Sequence, residues 1–440
     1  MLALATPARH PRARLRWATP IAALVAVSVI SLAARVAFLG SPCHEPCTSA
    51  SAHVLVFDES YYVNAARVIA GVRPPPGAHY RDTPAGDDPN AEHPQLAKVV
   101  IAGAIELFGD GPLAWRLPSI VLGSLAILGM FALVRAAGGG PWLAVGVAAL
   151  MAADNLLLVH SRIATLDVYA VTAMIWAAVL YLRGRPLSAG VVIGVGACAK
   201  EVAPYVLLAL LALELLRAYR DRSAVGPALV RVAMCAAAAA AVFVGLLALL
   251  DVIAPPFDPL AHKLVGGGVF GHIRYLLHYG SHQTSPHGPQ GIASYPWGWL
   301  IDIKPILYLN INPQRPVPGL LNVHPKAHFL GMISPAILLV GLPGLATAAW
   351  RAVGRDRSGA GDVELLGVAW FAGTFVPFVL LSLLDNRTSY LYYMVIVMPG
   401  IYVAAAQFVA RIGPPPRWIW AWAVTIAIAV VVMYPFTPLP

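Results

Sequence analysis

The strongest constraint on this chain is one that repeats. Apolar runs near the length a helix needs to cross a hydrocarbon layer, about 20 residues, recur along all 440 positions. Candidate spans lie near 18–39, 113–134, 141–158, 168–182, 187–199, 203–216, 228–250, 330–349, 363–384, 390–410 and 418–434, about eleven in all. Between them there is little charge: 12% of residues, against 59% apolar, where a soluble domain carries about a quarter charged residues. So little charge cannot cover a water-facing surface. The expected fold class is an all-α polytopic membrane protein, one membrane domain over 1–440. The net charge of +9 raises nucleic acid as a partner, but the basic residues sit in short clusters between apolar runs. That is the pattern of topology signals, so no nucleic-acid partner is expected.

Orientation follows from those clusters. Arg9, Arg12, Arg14 and Arg16 precede the first span and place the N-terminus in the cytoplasm. The first span is too long for a cleavable signal and reads as a retained anchor. Counting onward puts Arg183 and Arg185, the 217–222 cluster, the 351–357 cluster, and Arg411 with Arg417 on the same side. The two longest remaining segments, 40–111 and 251–329, then fall outside. Long loops of this kind usually carry function. The first holds Asp58, Glu59, Asp82, Asp87, Asp88 and Glu92; the second holds His262, His272, His278, His282, His287, His324 and His328. Chemistry is expected on the outer face. The absence of an internal repeat gives no support to the inverted-repeat transporter plan. Cys198 and Cys235 lie in apolar runs and read as packing residues. Cys43 and Cys47 lie in an outer loop, where a disulfide is permitted.

Within the first loop, Val56-Phe57-Asp58-Glu59-Ser60-Tyr61-Tyr62 joins an apolar stretch to a helical pattern. Asp58 reads as a helix N-cap with Glu59 complementing the dipole, or as a general base for an acceptor hydroxyl. The two roles are compatible. In Ala91-Glu92-His93-Pro94-Gln95-Leu96-Ala97-Lys98, Pro94 marks a helix start, and residues 95–108 form an amphipathic pattern suited to the membrane surface. His93 is a helix-entry residue or a substrate contact. Lys98 reaches lipid phosphate or a substrate phosphate. Arg162 and Asp167 either pair with each other, or Asp167 orients Arg162 toward a site. Lys200, beside Glu201, and Arg387, in Asp385-Asn386-Arg387-Thr388-Ser389-Tyr390, sit at helix junctions on the outer side, where cations are scarce. An anionic lipid phosphate held there explains both.

The order of these segments resembles the GT-C class of membrane glycosyltransferases, and within it the dolichyl-phosphate-mannose protein O-mannosyltransferases. The matching pieces begin at Arg35 and continue through Phe57-Asp58-Glu59, Glu92-His93-Pro94-x-Leu96-Ala97-Lys98, Phe108-Gly109-Asp110 and Trp115-Arg116. After these come Ser161-Arg162-Ile163-Ala164-x-Leu166-Asp167, the Lys200 junction, Ser294-Tyr295-Pro296-Trp297-Gly298-Trp299 and Arg387-Thr388-x-Tyr390. The resemblance implies inverting transfer of a sugar, most readily mannose, from a polyprenyl-phosphate donor at the outer membrane face. It makes Asp58 the catalytic base and assigns the lipid phosphate to Arg116, Arg162, Lys200 and Arg387. Glu59 would position the loop or the acceptor. His93, Lys98, Asp167, Tyr61 and Trp297 complete the expected substrate contacts, although Trp and Tyr at this depth also serve as interface anchors. Where the family usually reads His-Pro-Pro this chain has His93-Pro94-Gln95, and its 71–90 loop is rich in Pro and Gly.

The expected partners are the lipid-linked donor, membrane lipid, and a Ser/Thr hydroxyl on an exported protein, in the plasma membrane. A lipid or envelope-glycan acceptor is one alternative, and a transporter or lipid flippase another. No metal is expected to be required, although some related transferases hold a divalent ion near the donor phosphate. His278 and His282 have the spacing of a shared helix face, but the surrounding Gly and Pro argue against a helix there.

Overall fold

A computed structural model of the chain describes residues 12–43, 47–49, 52–310, 328–354 and 361–434. Its order is α1 (Arg12–Val36), α2 (Glu59–Ile69), α3 (Leu96–Phe108), α4 (Pro112–Ala136), α5 (Pro141–Ala153), α6 (Asn155–His160), α7 (Asp167–Leu182), α8 (Pro186–Ala197), α9 (Tyr205–Asp221) and α10 (Gly226–Ile253). A mixed stretch follows. It holds β1 (Phe257–Asp258) paired with β2 (Lys263–Leu264), α11 (Gly268–His282), α12 (Pro296–Trp299), and β3 (Ile306–Asn310) antiparallel to β4 (His328–Gly331). Then come α13 (Pro335–Val353), α14 (Asp362–Asp385), α15 (Met394–Ile412) and α16 (Pro416–Met433).

Among the described residues, seven helices are long and apolar enough to cross a membrane, and α5, α7 and α8 are shorter apolar helices. The chain is a multi-pass membrane protein. Each expected span has a helix, with two corrections. The 141–158 run breaks at Asp154, whose carboxylate accepts the Ser334 N–H at 2.8 Å and the Tyr402 hydroxyl at 2.7 Å. The 330–349 run enters its helix only at Pro335, because 328–331 pairs with β3.

Small residues let the helices approach closely. A Cβ at Gly190 would meet the Cys235 carbonyl at 2.3 Å, so α8 and α10 touch backbone to backbone; Gly373 does the same for α14 against Ala209 of α9, at 2.2 Å. Cys198 and Cys235 are buried packing residues.

The two ends of the bundle differ. At one, Arg217 and Arg220 each reach Asp362 at 2.6 Å, Arg231 reaches Glu214 at 2.8 Å, and Arg351 and Arg411 share Glu364. The far end of α14, at Asp385, belongs to the opposite end, where residues 52–111 and 251–310 gather. There α3 buries Ala97, Ile101 and Ile105 while exposing Val100, Leu107 and Phe108, as a helix lying against lipid does. Cys43 and Cys47 are joined in a disulfide. Arg9, Arg357 and His324 lie outside the described residues, as do the side chains of Arg12, Arg14, Arg16 and His328.

Candidate active site

At the loop-bearing end, the start of α2, the α8–α9 junction, α11 and the turn after α14 enclose a cavity of about 630 Å³. Asp58, Tyr61, His93, Lys200 and Arg387 all line it.

Two adjacent carboxylates have opposite fates here. Phe57 has φ 55°, and the chain turns through it into α2. Glu59 points into the bundle with no exposed surface. Its Oε1 accepts Arg116 Nε–H at 2.8 Å and the Ala164 N–H at 2.9 Å; its Oε2 accepts Arg116 Nη2–H and the Val56 N–H, each at 2.8 Å. Asp58 occupies the N-cap position of α2 but makes no side-chain cap. Its carboxylate, half-buried, has no hydrogen bond or ion pair among the described residues and faces the cavity. Burial pushes the Asp58 carboxyl up to about 6; Lys200 pulls against this rise and Asp167 adds to it.

Two cations share the cavity. Lys200 follows α8, is 3% exposed, and rests 2.6 Å from Asp167 Oδ1, with the Tyr392 and Tyr393 rings at 5.4 and 5.9 Å. Arg387 follows Asn386, whose left-handed backbone ends α14. The turn is stitched to the second loop: Ser285 N–H donates to the Asn386 carbonyl at 2.8 Å, and Thr388 N–H to the Gln283 carbonyl at 2.8 Å. The Arg387 guanidinium itself has no hydrogen bond or ion pair among the described residues.

The geometry corrects the expected grouping of cations. Arg116 does not line the cavity; its remaining N–H groups donate to the carbonyls of Leu39 at 2.5 Å and Ser41 at 2.9 Å. Arg162 does not pair with Asp167. It donates to the Ala37 carbonyl at 2.7 Å and the Tyr434 hydroxyl at 2.9 Å. Asp167 sits beneath the cavity, where it holds Lys200. Lys98 is fully buried 2.6 Å from Asp88 and donates to the His93 carbonyl at 2.8 Å, so it holds the loop rather than a substrate. Trp297 stacks on Tyr295 at 4.6 Å, away from the cavity, and Trp299 is core. His278 and His282 do share a helix, α11, with rings stacked at 4.1 Å. No group of three His, Cys, Asp or Glu able to hold a metal occurs among the described residues.

Sequence reasoning missed part of the wall. Tyr205, Tyr279, Tyr392 and Tyr393 line the cavity with Glu201, which sits 3.2 Å from His93. The Tyr390-Leu391-Tyr392-Tyr393 cluster was the available signal.

The fold is similar to that of solved membrane-embedded sugar transferases. It superposes on the Saccharomyces cerevisiae protein O-mannosyltransferase Pmt1–Pmt2 complex bound to its sugar donor with a TM-score of 0.64, at 12% identity, over 98% of this chain and 90% of that one. Residues 92–247, about a third of the chain, match the family of dolichyl-phosphate-mannose-protein mannosyltransferases. A polyprenol-phosphate-mannose–protein mannosyltransferase of Corynebacterium glutamicum is 35% identical over 127 residues, 28% of this chain and only 24% of the relative. One of the same name from Mycolicibacterium smegmatis is 23% identical over 88% of this chain and 81% of its own length.

Proposed function

We propose that the chain transfers a sugar, mannose in the first instance, from a polyprenyl-phosphate carrier to a Ser or Thr hydroxyl of an exported protein. The observation that carries this reading is a carboxylate and a guanidinium, Asp58 and Arg387, that face one cavity and have no side-chain hydrogen bond or ion pair among the described residues. The family match and the names of the relatives support the same donor.

In this mechanism Asp58 takes the proton of the acceptor hydroxyl as that oxygen attacks the anomeric carbon. The bond from the anomeric carbon to the phosphate oxygen breaks with its electron pair on the phosphate, and the configuration inverts. Arg387 and Lys200 neutralise the charge gathering on the leaving phosphate, while Asp167 fixes the Lys200 ammonium in place. Glu59 and Arg116 hold the loop that presents Asp58. The arginine-rich end is cytoplasmic and the cavity opens on the outer side of the plasma membrane.

Two results test the parts. Arg387→Gln weakens donor-lipid binding by about 10- to 100-fold, the worth of about 1.5–3 kcal/mol for a charged hydrogen bond. It leaves the thermal unfolding midpoint close to wild type, because no group among the described residues hydrogen-bonds or ion-pairs with that guanidinium; unaltered donor affinity counts against the assignment. The base works only when ionised, so kcat/KM rises with pH and its acid limb has a midpoint near pH 6. A midpoint near an ordinary Asp, about 4, contradicts the environment described for Asp58.

The reading as a whole is tested in lipid, with labelled polyprenyl-phosphate mannose offered to Ser/Thr peptides and envelope glycolipids together. Label in peptide supports it. Label only in glycolipid changes the acceptor, and lipid translocation without transfer replaces the enzyme by a transporter.

A further inference from the structure

Phe57 holds a backbone conformation that bulky L-residues rarely adopt, φ 55°. Such strain persists only where the surroundings impose it, and it gathers at functional sites. Here it precedes the two carboxylates that diverge, Asp58 to the cavity and Glu59 to the bundle.

Aromatic rings grip Phe57 from two directions. Tyr308, in β3 of the second loop, stacks on it with centroids 4.3 Å apart and planes inclined by 21°. Tyr392 meets it edge-on at 5.8 Å. Tyr308 is itself fixed. Its hydroxyl lies 2.7 Å from His160 Nε2. Gly331, on the partner strand, leaves the ring room: a Cβ there would come within 2.5 Å of Tyr308 Cζ. His160 is fully buried, and its Nδ1 lies 3.3 Å from Thr165 Oγ1 and 3.5 Å from Asp167 Oδ2. Asp167 also holds Lys200. One chain of contacts therefore runs from the cation at the cavity floor, through Asp167, His160 and Tyr308, to the residue before Asp58.

We propose that Tyr308 is a positioning residue for the base: by holding Phe57 in its left-handed conformation, the second loop sets where the Asp58 carboxylate points. The inference rests on Asp58 being the base. It gives the second loop a catalytic task that no substrate contact supplies, and it couples that task to the Asp167–Lys200 pair. Tyr308 contacts Phe57 rather than the reacting atoms, so its effect falls on turnover and not on donor affinity.

The test uses the full chain in lipid, with labelled polyprenyl-phosphate mannose as donor and a Ser/Thr peptide as acceptor. Tyr308→Ala lowers kcat by about 100-fold, the scale of a 1 Å misplacement, with donor affinity unchanged. Tyr308→Phe keeps the stack and restores most of the rate, and Gly331→Ala, which displaces the ring, behaves like Tyr308→Ala. Wild-type turnover in Tyr308→Ala, or donor binding lost in step with turnover, overturns the proposal. A second readout needs no activity: the rate at which a water-soluble maleimide labels Asp58→Cys. Adding Tyr308→Ala changes that rate severalfold, and an unchanged rate overturns the positioning role. If the wild type transfers no sugar, the functional reading fails on its own, and labelling still decides the geometry.

Discussion

Asp58→Asn reduces transfer by about 10²–10⁴-fold, the usual worth of a general base, while donor-lipid binding stays close to wild type. The amide fills the same space but takes up no proton. Thermal stability does not fall with activity. Because burial pushes the Asp58 carboxyl up to about 6, the charged form is disfavoured in the folded state at neutral pH. Asparagine removes that cost, and the unfolding midpoint in detergent stays level or rises. The sign separates a reactive group from a structural one. A variant that loses stability together with donor binding would make Asp58 a helix-capping residue after all.

Arg116→Met has the largest expected effect on stability. It leaves the Glu59 carboxylate fully buried with only the Val56 and Ala164 N–H groups, and it frees the carbonyls of Leu39 and Ser41. Removing one partner of a buried ion pair costs about 3–5 kcal/mol, measurable as a large drop in the unfolding midpoint. Adding Glu59→Gln returns part of the loss, because the unpaired charge is then gone. If Arg116→Met unfolds like wild type and weakens donor binding alone, Arg116 is a phosphate ligand, as the family resemblance implies.

The spans were legible because lipid imposes one requirement on every crossing segment: enough apolar length with its backbone hydrogen bonds made internally. Asp58 stood out for a related reason, as a carboxylate at the edge of an apolar run needs an explanation, and it does line the cavity. What the pattern could not carry was direction. Asp58 and Glu59 are neighbours in sequence, yet successive helical residues point about 100° apart. One therefore faces the cavity while the other is sealed against Arg116. Arg162 and Asp167 looked like a pair at short range, but Asp167 found Lys200, 33 residues away. The helix at 268–282 was hidden by its glycines. Gly271 is there for close approach, since a Cβ would meet the Gly266 carbonyl at 1.9 Å, and packing of Val269, Ile273 and Leu276 on Leu247 and Leu250 stabilises the helix. Tyr308 lies 148 residues from His160, and nothing local marks either as a neighbour of the Phe57–Asp58 turn.

In the proposed mechanism the sugar moves by a single displacement at the anomeric carbon, with Asp58 accepting a proton rather than bonding to the sugar. The most direct measurement is the anomeric configuration of the sugar that wild-type protein in lipid transfers from a polyprenyl-phosphate donor to a Ser/Thr peptide. Inversion gives product with the configuration opposite to the donor's. Product with the donor's configuration would mean two displacements through a glycosyl-enzyme intermediate and would contradict the role given to Asp58.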